Sequence, residues 1–374
     1  MISNGACEPC IIQAFTSGMG ARWRFVYAVT AMACIGGRIL AAQATDRRQL
    51  ERLEQALRQE GQAIIALADA PPDKSQPADF TLTWHNDFLK AQTGTFVPFV
   101  VTIAPRMARA SAALLYVRAA RPAQPASDGR RRAPAGEGSV LHPFEEIYPV
   151  DLSDQPVRIA RGFALPAGEY QVTVVVRERE DQRGRRRLAA VLRQPLIVPD
   201  YATGTLATST IMLAARLTVL PEPPPASTLV ERPYVIGTRE IEPASDSSFR
   251  PSEELIVVFL VYNPVVTPDR QFDLEVEYHF FRKSRAGPGD QQPGVPAGLS
   301  ALPGERYFNR TEPQRFNAAI LGPPFDPGAG QPVMAGQGVP LAGFPEGEYR
   351  LLIRVTDLIS KRSLVREVAF TVQS

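Results

Sequence analysis

A-L-P-A-G-E-Y-Q-V-T-V-V-V-R at residues 164–177 and G-F-P-E-G-E-Y-R-L-L-I-R-V-T at 343–356 carry the same phrase, P-x-G-E-Y, and each runs on into an alternating apolar stretch. Proline fixes φ, glycine frees the turn, and the tyrosine opens a strand. On a strand, every second residue shares a face. Tyr170, Val172, Val174 and Val176 therefore line one side in the first copy, as Tyr349, Leu351, Ile353 and Val355 do in the second.

Working outward, the two copies match in order. Residues 99–105 (F-V-V-T-I-A-P) read as a strand stopped by proline, as do residues 255–264 (L-I-V-V-F-L-V-Y-N-P). Residues 113–118 (A-L-L-Y-V-R) follow in the first copy. Their counterpart, 272–281, alternates. Phe272, Leu274, Val276, Tyr278 and Phe280 face one way; Asp273, Glu275, Glu277 and His279 face the other, where His279 is expected to meet solvent. Each copy then enters a low-complexity insert, 121–139 and 283–304, read as a mobile loop. Each ends in a last strand, Leu188–Val198 and Leu364–Val372. Short strands, regular turn signals and 35 prolines predict an all-β chain of two tandem immunoglobulin-like β-sandwiches. The expected boundaries are 73–200 and 228–374, joined by 201–227. Within that segment, the apolar residues 205–220 read as an added strand or a short inter-domain element, and Pro221–Pro225 as a stiff linker.

Residues 46–70 are the one helix candidate. Leu50, Leu53, Leu57, Ile64 and Leu67 recur at helical spacing, with Glu60 in the slot that breaks the apolar stripe. Such a helix either packs on its own domain, spaces the domains from a membrane, or self-associates. Pro71 and Pro72 end it.

Upstream, Arg22 and Arg24 precede an apolar run, Phe25–Ile35, and Ala42-Gln43-Ala44 has the form of a cleavage site before Thr45. That order is a secretory signal peptide over 1–44, with Met19 as an alternative start. An uncleaved signal would tether the chain through residues 25–44, and Cys34 distantly resembles a lipidation site. The three cysteines, Cys7, Cys10 and Cys34, all lie in this region; Cys7-x-x-Cys10 has metal or redox spacing but no second pair. Cleavage after Ala44 removes three arginines and one glutamate and leaves 38 basic against 38 acidic residues. A neutral chain has no global attraction to nucleic acid.

The chemistry-bearing residues are scattered. His85, His142 and His279 are far apart and none sits in a metal-binding spacing. No nucleophile elbow, phosphate loop or cofactor motif is present, and neither a cofactor, a metal nor a catalytic residue is expected. Glu145-Glu146 and Asp151/Asp154 offer paired acids for calcium binding or glycoside hydrolysis, and they lack a calcium-loop pattern. Trp84-His85 has the aromatic and polar mix of a recognition surface. Arg130, Arg131 and Arg132, and Arg185, Arg186 and Arg187, form two basic triples that would suit an anionic partner.

Three stretches are familiar in wording: D-F-L-K-A-Q-T-G-T-F-V-P-F at 87–99, L-V-Y-N-P at 260–264 and F-P-E-G-E-Y-R-L at 344–351. They resemble uncharacterised exported proteins of soil bacteria built from tandem immunoglobulin-like modules, sometimes beside von Willebrand type A domains. The resemblance covers most of residues 80–374 and implies fold and envelope location, with no activity and no residue roles. The resulting expectation is a non-enzymatic exported module, periplasmic, secreted or membrane-tethered, that binds an envelope protein or glycan. A carboxylate-dependent hydrolase acting on polysaccharide and a two-domain periplasmic assembly chaperone are the alternatives.

Overall fold

A computed structural model describes residues 55, 58–71, 79–106, 111–122, 142–179, 187–284, 295, 298–322 and 325–373. The expected signal region with Ala42, Ala44 and Thr45 lies outside them, as do Leu50, Leu53 and Leu57, Arg130–Arg132, and Arg185 and Arg186. None of the described helices is long and apolar enough to cross a membrane.

The chain is all-β and forms two sandwiches. The first takes β1 (Phe80–Asn86), β2 (Leu89–Lys90), β3 (Thr95–Pro105), β4 (Ser111–Ala120), β5 (Phe144–Leu152), β6 (Val157–Leu165), β7 (Gly168–Glu178) and β8 (Ala189–Val198). In sheet A, β3 pairs with β1 and β2 on one side and β6 on the other; sheet B runs β5-β4-β7-β8. The second sandwich takes β9 (Ala207–Thr208), β10 (Met212–Val219), β11 (Val235–Ile236), β12 (Arg239–Pro243), β13 (Ser248–Phe249), β14 (Glu254–Tyr262), β15 (Asp273–Lys283), β16 (Glu305–Arg310), β17 (Gln314–Asn317), β18 (Val333–Pro340), β19 (Gly347–Asp357) and β20 (Arg362–Val372). Sheet C runs β11-β12-β10-β14-β18, with β9 also on β14. Sheet D runs β13-β20-β19-β15-β16, with β17 also on β15.

The repeated phrase does the same job twice. Gly168 (φ 146°) and Gly347 (φ 150°) sit where a side chain would be strained. The tyrosine two residues on turns back so that its hydroxyl donates to the carbonyl of the proline: Tyr170 to Pro166 at 3.0 Å and Tyr349 to Pro345 at 2.5 Å. This is the tyrosine-corner device of immunoglobulin-like domains. The faces expected from alternation are the buried ones. Tyr170, Val172, Val174 and Val176 join the first core, and Tyr349, Leu351, Ile353 and Val355 the second.

Of the two readings of residues 205–220, the structure has the added strand: β9 and the start of β10 pair with β14 in sheet C. Two placements differ from the sequence reading. Pro221–Pro225 then lies inside the second sandwich, between β10 and β12, and the crossing between sandwiches is the short stretch 199–206. His279 is 1% exposed, not solvated. Tyr307 from β16 covers it, with its hydroxyl 3.2 Å from His279 Nδ1. The end of the second insert is also tied down: Arg350 donates to the Ser300 carbonyl, and Leu302 N–H to Glu305.

The helix, α1 (58–69), lies across the outer face of sheet B. Ile64 and Ala68 pack on Leu114, Tyr116 and Val175. Glu60, the break in the stripe, is buried and ion-paired to Arg179 at 3.1 Å. Arg193 Nη2 donates to the carbonyls of Leu67, Ala68 and Ala70, which have no partner within the helix. The described part of the amphipathic face is thus turned onto the chain's own domain.

Candidate functional site at the junction of the two sandwiches

Strands β3 and β14 are buried on both faces, and that fact builds the junction. Alternate residues of β3 (Val97, Phe99, Val101) enter the first core, and alternate residues of β14 (Val257, Phe259, Val261) enter the second. The intervening residues point the other way and meet each other. Leu89 and Val100 of sheet A pack with Met212, Val258, Leu260 and Tyr262 of sheet C in a third apolar cluster. Gly162 of β6 lets the faces approach: an added Cβ would lie 2.4 Å from Phe96 and 3.1 Å from Pro233 of the second sandwich. The space between the sandwiches is filled by side chains, so helix, sheet B, sheet A, sheet C and sheet D form five successive layers.

A polar rim surrounds this layer, centred on residues 87–90. Phe88 N–H donates to Thr210 Oγ1 at 2.8 Å, and Thr210 N–H returns a bond to the Phe88 carbonyl at 3.1 Å. Lys90 N–H donates to the Tyr262 hydroxyl at 3.0 Å, and Lys90 Nζ to Asn263 Oδ1 at 2.8 Å. Arg158 Nη2 donates to the Pro243 carbonyl at 2.8 Å. Two of the three stretches that carry the family resemblance, at 87–99 and 260–264, meet here.

The titratable groups of the rim are His85, Asp87 and Tyr234. Asp87 is fully buried, and its Oδ2 is 3.1 Å from His85 Nε2, whose side chain is 56% exposed. The hydrogen bond that Asp87 accepts raises the His85 pKa above its ordinary 6.5, against an opposing effect of burial. Tyr234, from the second sandwich, is buried beside the same carboxylate, and its hydroxyl makes no hydrogen bond among the described residues. Burial pushes that hydroxyl well above the usual tyrosine range, so it stays protonated. The arrangement places a buried carboxylate between an imidazole of the first sandwich and a phenol of the second.

The other residues singled out in the sequence fall elsewhere. Trp84 precedes His85 on β1 and so faces the first core, where it stacks on Phe99 at 4.4 Å; only His85 of that pair is presented to the junction. Arg187 is half-buried just before β8. Glu145 and Glu146 are on opposite faces of β5, accepting from Tyr116 and Tyr148 at 2.6 Å each. Asp151 and Asp154 are exposed. Among the described residues no group of three His, Cys, Asp or Glu side chains could hold a metal ion. Asp87 and Tyr234 were not singled out; Asp87 is two residues from His85, a spacing that returns its side chain to the same side of the chain.

No protein-family model matches this chain, and no curated protein matches it in sequence. Among solved structures it overlaps red sea bream transglutaminase (11% identity, 80% of this chain, 32% of that one, TM-score 0.21). It also overlaps the α2-macroglobulins of Salmonella (14%, 80% and 17%, 0.19) and E. coli (12%, 80% and 16%, 0.20). The chain spans a third or less of the length of these proteins. Overlaps at these scores carry no functional information.

Proposed function

We propose that this chain is a non-enzymatic, exported binding module of the cell envelope that accepts an extended segment of a protein partner along the edge of β20. The observation that carries this reading is the pairing of β20. It is eleven residues long, and among the described residues its outer edge is paired only by β13, at Thr371 and Val372. Thr371 N–H points outward, donating to Ser247. By the two-residue period, Ala369, Glu367, Val365 and Ser363 direct their backbone groups the same way. An uncovered edge of this kind is a template for strand addition. Arg362 and Arg366 would supply selectivity, and Arg366, which donates from Nη1 to the Val365 carbonyl and from Nε to Thr208 Oγ1 at 3.0 Å each, would give up the first of these bonds to the incoming strand. None of the large apolar side chains exposed among the described residues is aromatic, which favours a protein over a sugar that stacks on rings.

Val365→Pro tests this. Proline there deletes an outward donor and spares the β19–β20 ladder. Tagged wild-type and variant chains would be cross-linked in intact cells and their co-purifying proteins quantified. A partner captured by wild type and reduced at least about tenfold in the variant, with an unchanged melting temperature, supports the reading. Equal capture by both overturns edge addition.

A further inference from the structure

We propose that His85, Asp87 and Tyr234 form a pH-sensitive latch across the junction of the two sandwiches, closed in mild acid and released as pH rises. The argument starts from Asp87, which is 0% exposed and so carries its charge out of water. A buried carboxylate is tolerated when it is paired and hydrogen-bonded, and is costly when one partner is lost. The groups around it come from both sides of the junction. His85, on β1, contacts Oδ2. Tyr234, in the loop before β11, is buried beside the carboxylate, and neither its hydroxyl nor Asp87 Oδ1 has a hydrogen-bond partner among the described residues.

The remaining groups around the cluster are few. Arg158 on β6 lies close enough to His85 and Tyr234 to oppose a positive charge on the imidazole. Tyr201, in the crossing between sandwiches, feels both Asp87 and Arg366 of β20. From β3 the neighbour across from His85 is the apolar Val100. Among the described residues, protonated His85 is therefore the one cation in contact with the carboxylate.

The position in the chain turns this pair into a latch. Asp87 opens the segment 87–90, whose next residues make the Phe88–Thr210 and Lys90–Tyr262 bonds to the second sandwich. The folded pKa of His85 is raised, so its contribution is fully present below the unfolded value near 6.5 and is lost as pH climbs through the folded value. Above that pH the imidazole is neutral, its hydrogen bond to Asp87 is no longer charge-assisted, and the segment that bridges the sandwiches is held less tightly.

The test is hydrogen exchange by mass spectrometry on the full chain, from pH 5.5 to 8.5, expressed as protection relative to the intrinsic rate at each pH. Peptides covering 87–90 and 207–214 are expected to lose protection together, by roughly fivefold, as pH rises. His85→Gln and Tyr234→Phe should each abolish that dependence in the 207–214 peptide. Peptides from β7 and β19 report whether a variant has kept its fold. Wild-type protection independent of pH overturns the latch. So does a pH dependence that survives His85→Gln, or one that stays within the first sandwich and ignores Tyr234→Phe. An NMR titration of wild-type His85 serves if a variant misfolds: a value at or below 6.5 overturns the proposal.

Discussion

Leu260→Ala separates a tandem pair of independent domains from a single stacked body. Leu260 is 3% exposed and belongs to the cluster between sheets A and C, whereas its neighbours Phe259 and Val261 enter the second core. Truncation thus removes a side chain from the junction and leaves the second sandwich's own core intact. A buried Leu→Ala costs about 3 kcal/mol. With a urea m-value near 3 kcal/mol/M, that is a midpoint shift of about 1 M. The assay exploits an accident of sequence: Trp84, stacked on Phe99, reports the first sandwich, and the only other tryptophan, Trp23, can be changed to phenylalanine. A substitution in the second sandwich would be read by a probe in the first. If the junction couples them, the Trp84 transition moves by about 1 M. If it stays in place while circular dichroism shows a second transition moving, the sandwiches unfold independently and the junction contributes little.

Three further outcomes follow from particular contacts. Arg350→Met strips the buried Glu305 of its guanidinium partner and should lower stability by about 3–5 kcal/mol in thermal melts, with Glu305→Gln added to the variant restoring much of it. His279 behaves opposite to His85: burial depresses its pKa, so its contribution is complete above pH 6.5 and declines as pH falls through the folded value; His279→Gln should flatten the melting temperature between pH 5 and 6.5. Arg193→Met leaves the Leu67 and Ala70 carbonyls at the end of α1 without their donor, while Ala68 keeps Arg118, and should destabilise the docked helix by about 1–2 kcal/mol, read as faster exchange over 58–69 with β7 unchanged.

Alternation and turn chemistry made the sandwiches legible: the P-x-G-E-Y phrases open β7 and β19, and the inward rows on β15 and β19 are the core rows. What alternation could not tell is which outward rows are also covered. Residues 255–262 are apolar without interruption, which is the pattern of a strand buried on both sides. That was the available signal for the junction, and β3 carries a weaker version of it. His279 is hidden from the sequence for the same reason, since its row is polar and the cover comes from Tyr307, 28 residues away across the second insert. Asp87 and Tyr234 are brought together by docking of two domains, and no local spacing encodes that.

The five-layer order has a geometric consequence. Packed layers sit about 10 Å apart, so α1 and sheet D are held roughly 40 Å from one another. What fixes that distance is interlocked side chains from both sandwiches, with only a short crossing of chain beside them. The molecule is therefore a strut of set length with different ends: a helix-covered sheet at one, and at the other the sheet whose border strand is left open. A body attached at the first end and another gripped at the second would be kept at constant separation and orientation for as long as the middle layer stays shut.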